Sequence, residues 1–297
     1  MSDMTDLSTT NVRQSQQPFR SRRPGFNLLA LAVALVAAVP VRVAAAQPGA
    51  CPEAGPTVVM QGELPRLLAR LDQKRSLKIV AIGSSSTAGA GASSPANSYP
   101  DQLEADLARR FPGHLVDVVN AGANGQEVPD MLARLDRDVL AHLPDLVIWQ
   151  FGSNGLLRGR PLAELEAGAR IGIERIRATG AEVVLMDLQH APRIDSVPAR
   201  DEILAMMERL GRSTGAAVFH RYRLMKSWAA SLGAGYSRMV HPDQLHMTDA
   251  SYRCMAAALA ASLQGAADRR STAPRTGSNL AAAVRLPSPP ARAASAP

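Results

Sequence analysis

The sequence contains few aromatic residues and very little lysine. Aromatic side chains make up 4% of the 297 residues, and no lysine occurs between residues 79 and 225. Since alanine, leucine and valine are plentiful, the composition fits an alanine-rich α/β protein. The missing lysine excludes a phosphate-binding P-loop, which needs a lysine after its glycines. A dinucleotide fingerprint is excluded too, because Gly89-Ala90-Gly91 has no third glycine at Ser94 and the next predicted strand ends in Asn120.

Basic residues are in excess only at the two ends of the chain. The formal net charge is +7. Residues 1–46 carry five arginines against two aspartates, and residues 265–297 carry five arginines against one aspartate. The stretch 47–264 therefore holds 23 basic and 23 acidic residues. No basic face is expected there, so we predict no nucleic-acid partner.

Long apolar runs are also missing. The uncharged run Leu28 to Val39 is too short for a membrane span, which needs about 20 apolar residues. An arginine-rich stretch precedes this run and Ala44-Ala45-Ala46 follows it, a pattern typical of a cleaved signal peptide over residues 1–46. We therefore predict a periplasmic or secreted protein with no stable membrane span after signal removal. Arg22-Arg23 leaves twin-arginine export open beside the general route.

The chain has only two cysteines, Cys51 and Cys254. In an oxidising compartment they could form one disulfide that ties the N-terminal segment to the last predicted helix. Lipid attachment at Cys51 is an alternative, although the residues before it lack the leucine expected three positions upstream. Two unpaired or buried thiols are the third possibility.

Apolar periodicity divides the chain after the signal peptide into three parts. Residues 47–75 form an N-terminal segment with one helix, 76–264 a folded domain, and 265–297 an Ala/Pro/Ser/Arg tail that we predict to be disordered. In the domain, short apolar runs alternate about five times with helical stripes. This predicts a three-layer α/β/α fold, a flavodoxin-like doubly wound parallel sheet of about five strands. The predicted strands are Ile79–Ile82, Leu115–Val119, Leu146–Gln150, Val183–Leu188 and Ala216–Phe219. The predicted helical stripes begin at Leu64, Tyr99, Val128, Leu165, Ile203 and Tyr252.

Polar residues follow three of these strands and precede the last helix. The four stretches are Gly83-Ser84-Ser85, Asn120-Ala121-Gly122, Gly152-Ser153-Asn154 and Asp243-Gln244-Leu245-His246. Open α/β sheets bind ligands at the carboxyl ends of their strands. A serine hydrolase needs a hydroxyl, an imidazole, a carboxylate and donors for the developing oxyanion. All four kinds of group are present.

The order and spacing of these stretches resemble the sequence blocks of the SGNH hydrolases, also called GDSL-type esterases and lipases. Gly83 to Gly89 matches Gly-Asp-Ser-x-x-x-Gly, Asn120 to Gly125 matches Asn-x-Gly-x-x-Gly, Gly152 to Asn154 matches Gly-x-Asn-Asp, and Asp243 to His246 matches Asp-x-x-His. Two positions depart from the family pattern, since Ser84 and Gly155 stand where aspartates are usual. Neither of those aspartates is the triad carboxylate, so we expect the chemistry to survive with altered turn and pocket geometry.

The resemblance implies a role for each matched residue. Ser85 would be the nucleophile, His246 the general base and acid, and Asp243 the carboxylate that orients His246. The backbone N–H groups of Ser85 and Gly122 would form the oxyanion hole with the side-chain amide of Asn154. No cofactor is expected, and the substrate would be a small-molecule or glycan ester.

Three further side chains near the predicted site have more than one interpretation. Gln189 and His190 follow the fourth strand and are expected to bind substrate, although a structural role for His190 is an equal alternative. His241 with Asp243 and His246 suggests a metal site. However, the spacing is not that of a His-Glu-x-x-His helix and no second ligand cluster exists, so we expect no metal.

Together these features predict an exported serine esterase that hydrolyses carboxylic esters through an acyl-enzyme on Ser85. The loops expected around the site are small, polar or arginine-bearing, which favours a short acyl group such as acetate on a carbohydrate. A lysophospholipase or thioesterase on the same fold is an alternative. Another is a non-catalytic carbohydrate-binding module, in which the loss of the aspartates at positions 84 and 155 would mark decay.

Overall fold

The structure, a computed structural model, describes residues 50–52, 59–73 and 76–271, with side chains described as far as Ala266. The predicted signal peptide over residues 1–46 lies outside the described residues, as does the tail after Ser271.

A six-stranded sheet lies at the centre of the fold. Its strands are β1 (Met60–Gln61), β2 (Leu77–Gly83), β3 (Val116–Gly122), β4 (Leu146–Gln150), β5 (Glu182–Met186) and β6 (Ala217–Phe219). The strand order is β1-β6-β5-β4-β2-β3, and β2 to β6 are all parallel. Among the parallel strands, the first is the interior strand β2; the chain then passes to β3 at the edge and returns to β4 on the other side of β2, which is the flavodoxin-like order. The predicted fold class and its five strands are confirmed.

The sixth strand was not predicted from the sequence. β1 is two residues long and pairs antiparallel with β6, Met60 opposite Phe219 and Gln61 opposite Val218. A strand of two residues has no periodicity that could reveal it. The segment after it is anchored by Glu182, whose carboxylate accepts the backbone N–H groups of Arg66 and Leu67 at 3.0 and 2.8 Å.

Eleven α-helices surround the sheet in the described part of the chain. They are α1 (Pro65–Asp72), α2 (Ser85–Ala88), α3 (Tyr99–Arg110), α4 (Val128–Ala133), α5 (Leu135–Asp138), α6 (Ser153–Leu157), α7 (Leu162–Ala178), α8 (Pro192–Asp195), α9 (Arg200–Thr214), α10 (Arg221–Leu232) and α11 (Asp249–Ser271). Short 3₁₀ helices span Pro95–Asn97, Leu140–His142 and Gly233–Met239.

The helices form one layer on each face of the sheet. Helices α1, α3, α10 and α11 pack on the face to which β2 turns Ile79 and Ala81. Helices α4, α5, α7 and α9 cover the other face, to which β2 turns Val80 and Ile82. Because neighbouring side chains on a strand point to opposite faces, both must be apolar in a sheet covered on both sides. This explains the uninterrupted apolar run before Gly83.

Three helix predictions need correction. The stripe from Val128 to Val139 is two helices, because the chain breaks at Arg134, whose guanidinium turns inward and donates to the Gly83 carbonyl oxygen at 3.3 Å. Helix α10 was missed, since its first residue, Arg221, is buried and obscures the apolar pattern. Helix α11 continues to Ser271, so the folded domain does not end at residue 264 as predicted.

A disulfide joins Cys51 to Cys254 in α11. It fixes the start of the described chain to the helical layer that contains α1, α3 and α10. Cys254 is buried against that layer, with 3% of its surface exposed. Within the described ranges, no helix is both long enough and apolar enough to cross a membrane.

We expect removal of this disulfide by the double substitution Cys51→Ser and Cys254→Ser to lower the free energy of unfolding by about 2–5 kcal/mol. The reason is that the bond closes a loop across 203 positions and so restricts the unfolded chain. Urea unfolding followed by circular dichroism measures the difference. Reductant should destabilise the wild type and leave the double variant unchanged. Equal stability of the oxidised wild type and the double variant would contradict this expectation.

Candidate active site

Ser85 lies where the central strand of the sheet ends. β2 stops at Gly83, and Ser85 is the first residue of the short helix α2. The N–H of a first helical residue has no acceptor within its own helix. Gly89 ends α2 in the left-handed conformation, with φ of +92°. The strand, the turn and the short helix therefore present a partly buried hydroxyl with a backbone N–H beside it.

Gly122 allows β3 to lie against this turn. It pairs with Gly83 across the sheet, and a Cβ atom added at Gly122 would lie 2.1 Å from the backbone nitrogen of Ala88. No side chain fits at that distance, so any other residue would push α2 away from the sheet. The glycine of the second sequence block is therefore required by the packing around Ser85.

Gln150, at the end of β4, fixes the turn before Ser85 by hydrogen bonds. Its Oε1 atom accepts the Ser84 N–H at 3.0 Å, the Ser84 hydroxyl at 3.1 Å and the Thr87 hydroxyl at 3.2 Å. All three residues are buried. Gln150 was not predicted as a functional residue, although a polar residue at the end of a strand buried on both faces was a usable signal.

Ser85, His246 and Asp243 form one continuous chain of hydrogen bonds. The His246 Nε2 atom lies 2.8 Å from Ser85 Oγ, and its Nδ1 atom lies 2.5 Å from Asp243 Oδ2. An ionised carboxylate only accepts hydrogen bonds, so the imidazole proton is placed on Nδ1 and Nε2 is left to accept the serine proton. The arrangement can remove a proton from the Ser85 hydroxyl.

The same carboxylate also closes the turn that contains it. Asp243 Oδ1 accepts the backbone N–H groups of Leu245 and His246, both at 2.9 Å. Gln244 in this turn has φ of +62°, a left-handed conformation that is uncommon for residues other than glycine and occurs at functional sites. The tight turn brings Asp243 and His246, three positions apart, to one side of the chain.

These hydrogen bonds keep Asp243 ionised. Burial raises the pKa of the Asp243 carboxyl, but the hydrogen bonds from the His246 side chain and from the backbone N–H groups of His246 and Leu245 outweigh it. The pKa of Asp243 therefore lies well below its ordinary value, and the carboxylate stays charged in the pH range where an imidazole usually titrates. His241 Nδ1 lies 3.3 Å from Asp243 Oδ2. Among the described residues, no group of three or more histidine, cysteine or acidic side chains is arranged to hold a metal ion.

The three expected oxyanion donors differ in availability. The Ser85 N–H belongs to the first residue of α2. Asn154 donates one amide N–H to the Gln126 carbonyl oxygen at 2.9 Å, and its other N–H has no protein partner in the described part of the chain. The Gly122 N–H already donates to the Asn120 side-chain oxygen at 3.0 Å. A role for Gly122 would require the Asn120 side chain to move away.

The expected substrate contact by Gln189 does not agree with the structure. Gln189 is 1% exposed, and its amide is bonded to Ser153, Arg221 and Leu245. A side chain that is enclosed and hydrogen-bonded in this way has no surface to offer a substrate. The position of Gln189 at a strand end was predictable from the sequence, but its burial was not.

His190 is half-buried between two tyrosines. Its ring packs edge-on against Tyr222 and at a tilt against Tyr236, with centroids 5.3 and 5.4 Å apart. Its Nδ1 atom lies 2.8 Å from Asp195 Oδ2. These contacts give His190 a fixed position, and substrate binding by His190 stays a prediction.

An open groove of about 580 Å³ lies beside His246. It is lined by Gly91 to Ser93 and by the chain around Arg238, His241 and Asp249. A Cβ atom at Gly91 would lie 3.2 Å from the His246 Cβ atom, which places Gly91 next to His246. A second cleft of about 590 Å³, lined by residues that include Glu182, lies at the opposite end of the strands and contains none of the site residues.

The sequence matches a family of lipase-like proteins and two curated esterases. The sequence profile of the non-GDSL lipase-like family matches residues 50–269. An arylesterase of Vibrio mimicus is 32% identical over 117 residues, 39% of this chain and 57% of the relative. Esterase TesA of Pseudomonas aeruginosa is 35% identical over 80 residues, 27% of this chain and 40% of the relative. The alignments thus span about half the length of these curated relatives.

A solved structure shares the fold. It is a two-domain esterase active on acetylated mannans, with a TM-score of 0.60 and 21% identity over 71% of this chain and 55% of that one. The family profile covers the greater part of the chain and includes Ser85, Asn154 and the Asp243–His246 turn. The chain therefore belongs to the non-GDSL lipase-like family, among the SGNH hydrolases that its sequence blocks resemble.

Proposed function

We propose that this protein is a serine esterase that hydrolyses carboxylic esters through an acyl-enzyme on Ser85. The observation that carries the proposal is the hydrogen-bonded chain from Ser85 Oγ through His246 to Asp243. The arylesterase and esterase activities named for the two curated relatives support it. A binding module would not need an imidazole aligned with a hydroxyl, so the same observation disfavours the non-catalytic alternative.

In the proposed mechanism, Ser85 Oγ attacks the ester carbonyl carbon while its proton passes to His246 Nε2. The tetrahedral intermediate collapses when His246 gives this proton to the leaving alcohol oxygen and the C–O bond to that oxygen breaks. A water molecule then attacks the acyl-enzyme with His246 again as base, which releases the acid and restores the Ser85 hydroxyl. Asp243 stays ionised throughout and stabilises the imidazolium.

The developing oxyanion would be stabilised by the Ser85 N–H and by the second N–H of the Asn154 amide. Both groups are fixed before substrate binds, Ser85 by the turn under α2 and Asn154 by its bond to the Gln126 carbonyl oxygen. Fixed donors are effective because they need no reorganisation when the charge develops. The Gly122 N–H would be a third donor once the Asn120 side chain releases it.

The groove beside His246 favours a polar leaving group and a short acyl group. Its side chains include Arg238, His241, Thr248 and Asp249, and none of its described lining residues is a phenylalanine, tyrosine or tryptophan. Sugar hydroxyls suit such a surface better than a long hydrocarbon chain does. Activity on acetylated mannans is named for the structural neighbour, and we propose acetyl or similar short esters of carbohydrate for this chain.

We also propose that the protein acts outside the cytoplasm. The predicted signal peptide over residues 1–46 and the disulfide between Cys51 and Cys254 support this, because disulfides persist mainly in oxidising compartments.

Ser85→Ala should abolish hydrolysis of p-nitrophenyl acetate by protein expressed without residues 1–46. The substitution removes the nucleophile and little else, so circular dichroism should report the same fold for variant and wild type. Esterase activity in the folded variant would exclude Ser85 as the nucleophile. No activity of the wild type on any short or long ester would favour a binding function.

Asn154→Ala should lower kcat about 100-fold with little change in KM, because the lost donor acts mainly on the transition state. Steady-state kinetics on the same ester measures both constants. Asn124→Ala, at an exposed position, is the matched control and should behave as the wild type. A variant that kept its kcat would exclude Asn154 from the oxyanion hole.

The value of kcat/KM should fall along a series of p-nitrophenyl esters from acetate to octanoate. The measurement is kcat/KM for each ester under identical conditions. Faster turnover of octanoate or longer esters than of acetate would refute the short-acyl proposal and favour a lysophospholipase or thioesterase.

A further inference from the structure

Gln189 is a buried amide that connects the two halves of the candidate site. Ser153 Oγ–H donates to its Oε1 atom at 2.8 Å, and its Nε2–H group donates to the Leu245 carbonyl oxygen at 3.2 Å. Ser153 precedes Asn154 in the chain, and Leu245 precedes His246. One side chain is therefore bonded to the neighbour of the oxyanion donor and to the neighbour of the general base.

Arg221 fixes which way this amide points. Its Nη2–H group donates to Gln189 Oε1 at 2.8 Å, and its Nε–H group donates to the Asp187 carbonyl oxygen at 2.9 Å. A guanidinium has donors and no acceptor, so the amide atom that faces it must be the oxygen. The amide nitrogen is then directed at the Leu245 carbonyl. Burial lowers the pKa of Arg221 to about 10, which leaves it charged at neutral pH.

The chain around His246 has few other attachments to the sheet. Asp243 and Gln244 are exposed, and the bonds between Asp243, Leu245 and His246 hold the turn together but do not attach it to the rest of the protein. Leu245 and Met247 are buried in the apolar core. In the described part of the chain, the hydrogen bonds from residues 243–246 to segments outside 238–248 are the Gln189 bond to Leu245, the bond from the Arg193 N–H to the Gln244 carbonyl oxygen at 3.1 Å, and the His246 contact with Ser85 itself. The first of these is buried.

We propose that Gln189 is a positioning residue for ester hydrolysis. It keeps His246 and Asn154 at the distances from Ser85 that the reaction requires. This inference depends on the proposed esterase function. Gln189 touches no reacting atom and acts through the backbone next to His246 and through Ser153 next to Asn154. A displacement of about 1 Å at a reacting group can lower a rate about 100-fold, so loosening either connection should affect turnover more than substrate binding.

Gln189→Glu is the test that removes the donor to Leu245, although it also places a negative charge beside Arg221. The carboxylate has the same shape and still accepts from Ser153 and Arg221, but it presents an oxygen, not an N–H, to the Leu245 carbonyl. We expect kcat to fall about 10-fold to 100-fold while KM stays within about twofold and the fold by circular dichroism is unchanged. Gln264→Glu is the matched control, because Gln264 Oε1 also accepts from an arginine, Arg110, at 2.8 Å, and it should keep both constants.

Ser153→Ala tests the other connection and serves if Gln189→Glu fails to fold. It removes one hydrogen bond to the amide oxygen, and we expect kcat to fall about fivefold, the change that corresponds to one such bond. The two substitutions act on one side chain, so their effects on kcat should not be multiplicative in the double variant. Multiplicative effects would contradict a shared positioning role.

A readout that needs no turnover separates this inference from the proposed function. The proton in the hydrogen bond between His246 Nδ1 and Asp243 is observable by NMR far downfield, and in Gln189→Glu it should broaden or shift, while Gln264→Glu leaves it unchanged. An inactive wild type would refute the esterase proposal, and the NMR result would still decide the effect on His246. Unchanged kcat and an unchanged resonance in folded Gln189→Glu would overturn the inference. A loss of kcat in proportion to the unfolded fraction of the variant would also overturn the inference.

Discussion

The Asp243 carboxylate is the interaction on which the arrangement of the site depends. One oxygen closes the turn by accepting two backbone N–H groups, and the other holds the His246 imidazole. The position of the backbone and the orientation of the base are therefore set by one charge. The same bonds lower the pKa of Asp243, so the charge that organises the turn persists under conditions in which an isolated aspartate would begin to protonate. The left-handed conformation of Gln244 is tolerated because the three hydrogen bonds of the Asp243 carboxylate offset its conformational cost.

Two buried glutamines extend this order from the turn to the sheet. Gln150 accepts hydrogen bonds from Ser84, and Gln189 is bonded to Ser153 and Leu245. Each of those three residues directly precedes a residue of the candidate site, namely Ser85, Asn154 and His246. The reacting groups can stay partly exposed because their chain neighbours are fixed in the interior. An amide suits this purpose, since it offers both donor and acceptor without the cost of burying a charge.

The sequence was sufficient for features that depend on local spacing. The strand ends, the Gly83–Ser85 turn and the Asp243–His246 spacing follow from short-range patterns, and the parallel topology brings the strand ends to one edge. It was not sufficient where partners lie far apart in the chain. Gln150 and Ser84 are 66 positions apart, and Gln189 and Leu245 are 56 apart, so no local pattern identifies the hydrogen-bond partners of either amide. Two elements were missed for other reasons. Helix α10 begins with a buried arginine, and strand β1 is only two residues long.

The two positions where the family aspartates are missing have different surroundings. At position 84 the side chain faces Gln150 Oε1, which is 3.1 Å from the Ser84 hydroxyl, so a carboxylate there would meet an acceptor where the chain needs a donor. At position 155 a Cβ atom would lie 3.7 Å from the Arg160 Cβ atom and 3.8 Å from Glu127 Oε2, so space does not exclude a side chain there. Nothing in the structure explains the glycine at this position. Neither replacement interrupts the hydrogen bonds that join Ser85, His246 and Asp243, so the loss of both aspartates does not by itself disrupt the candidate site.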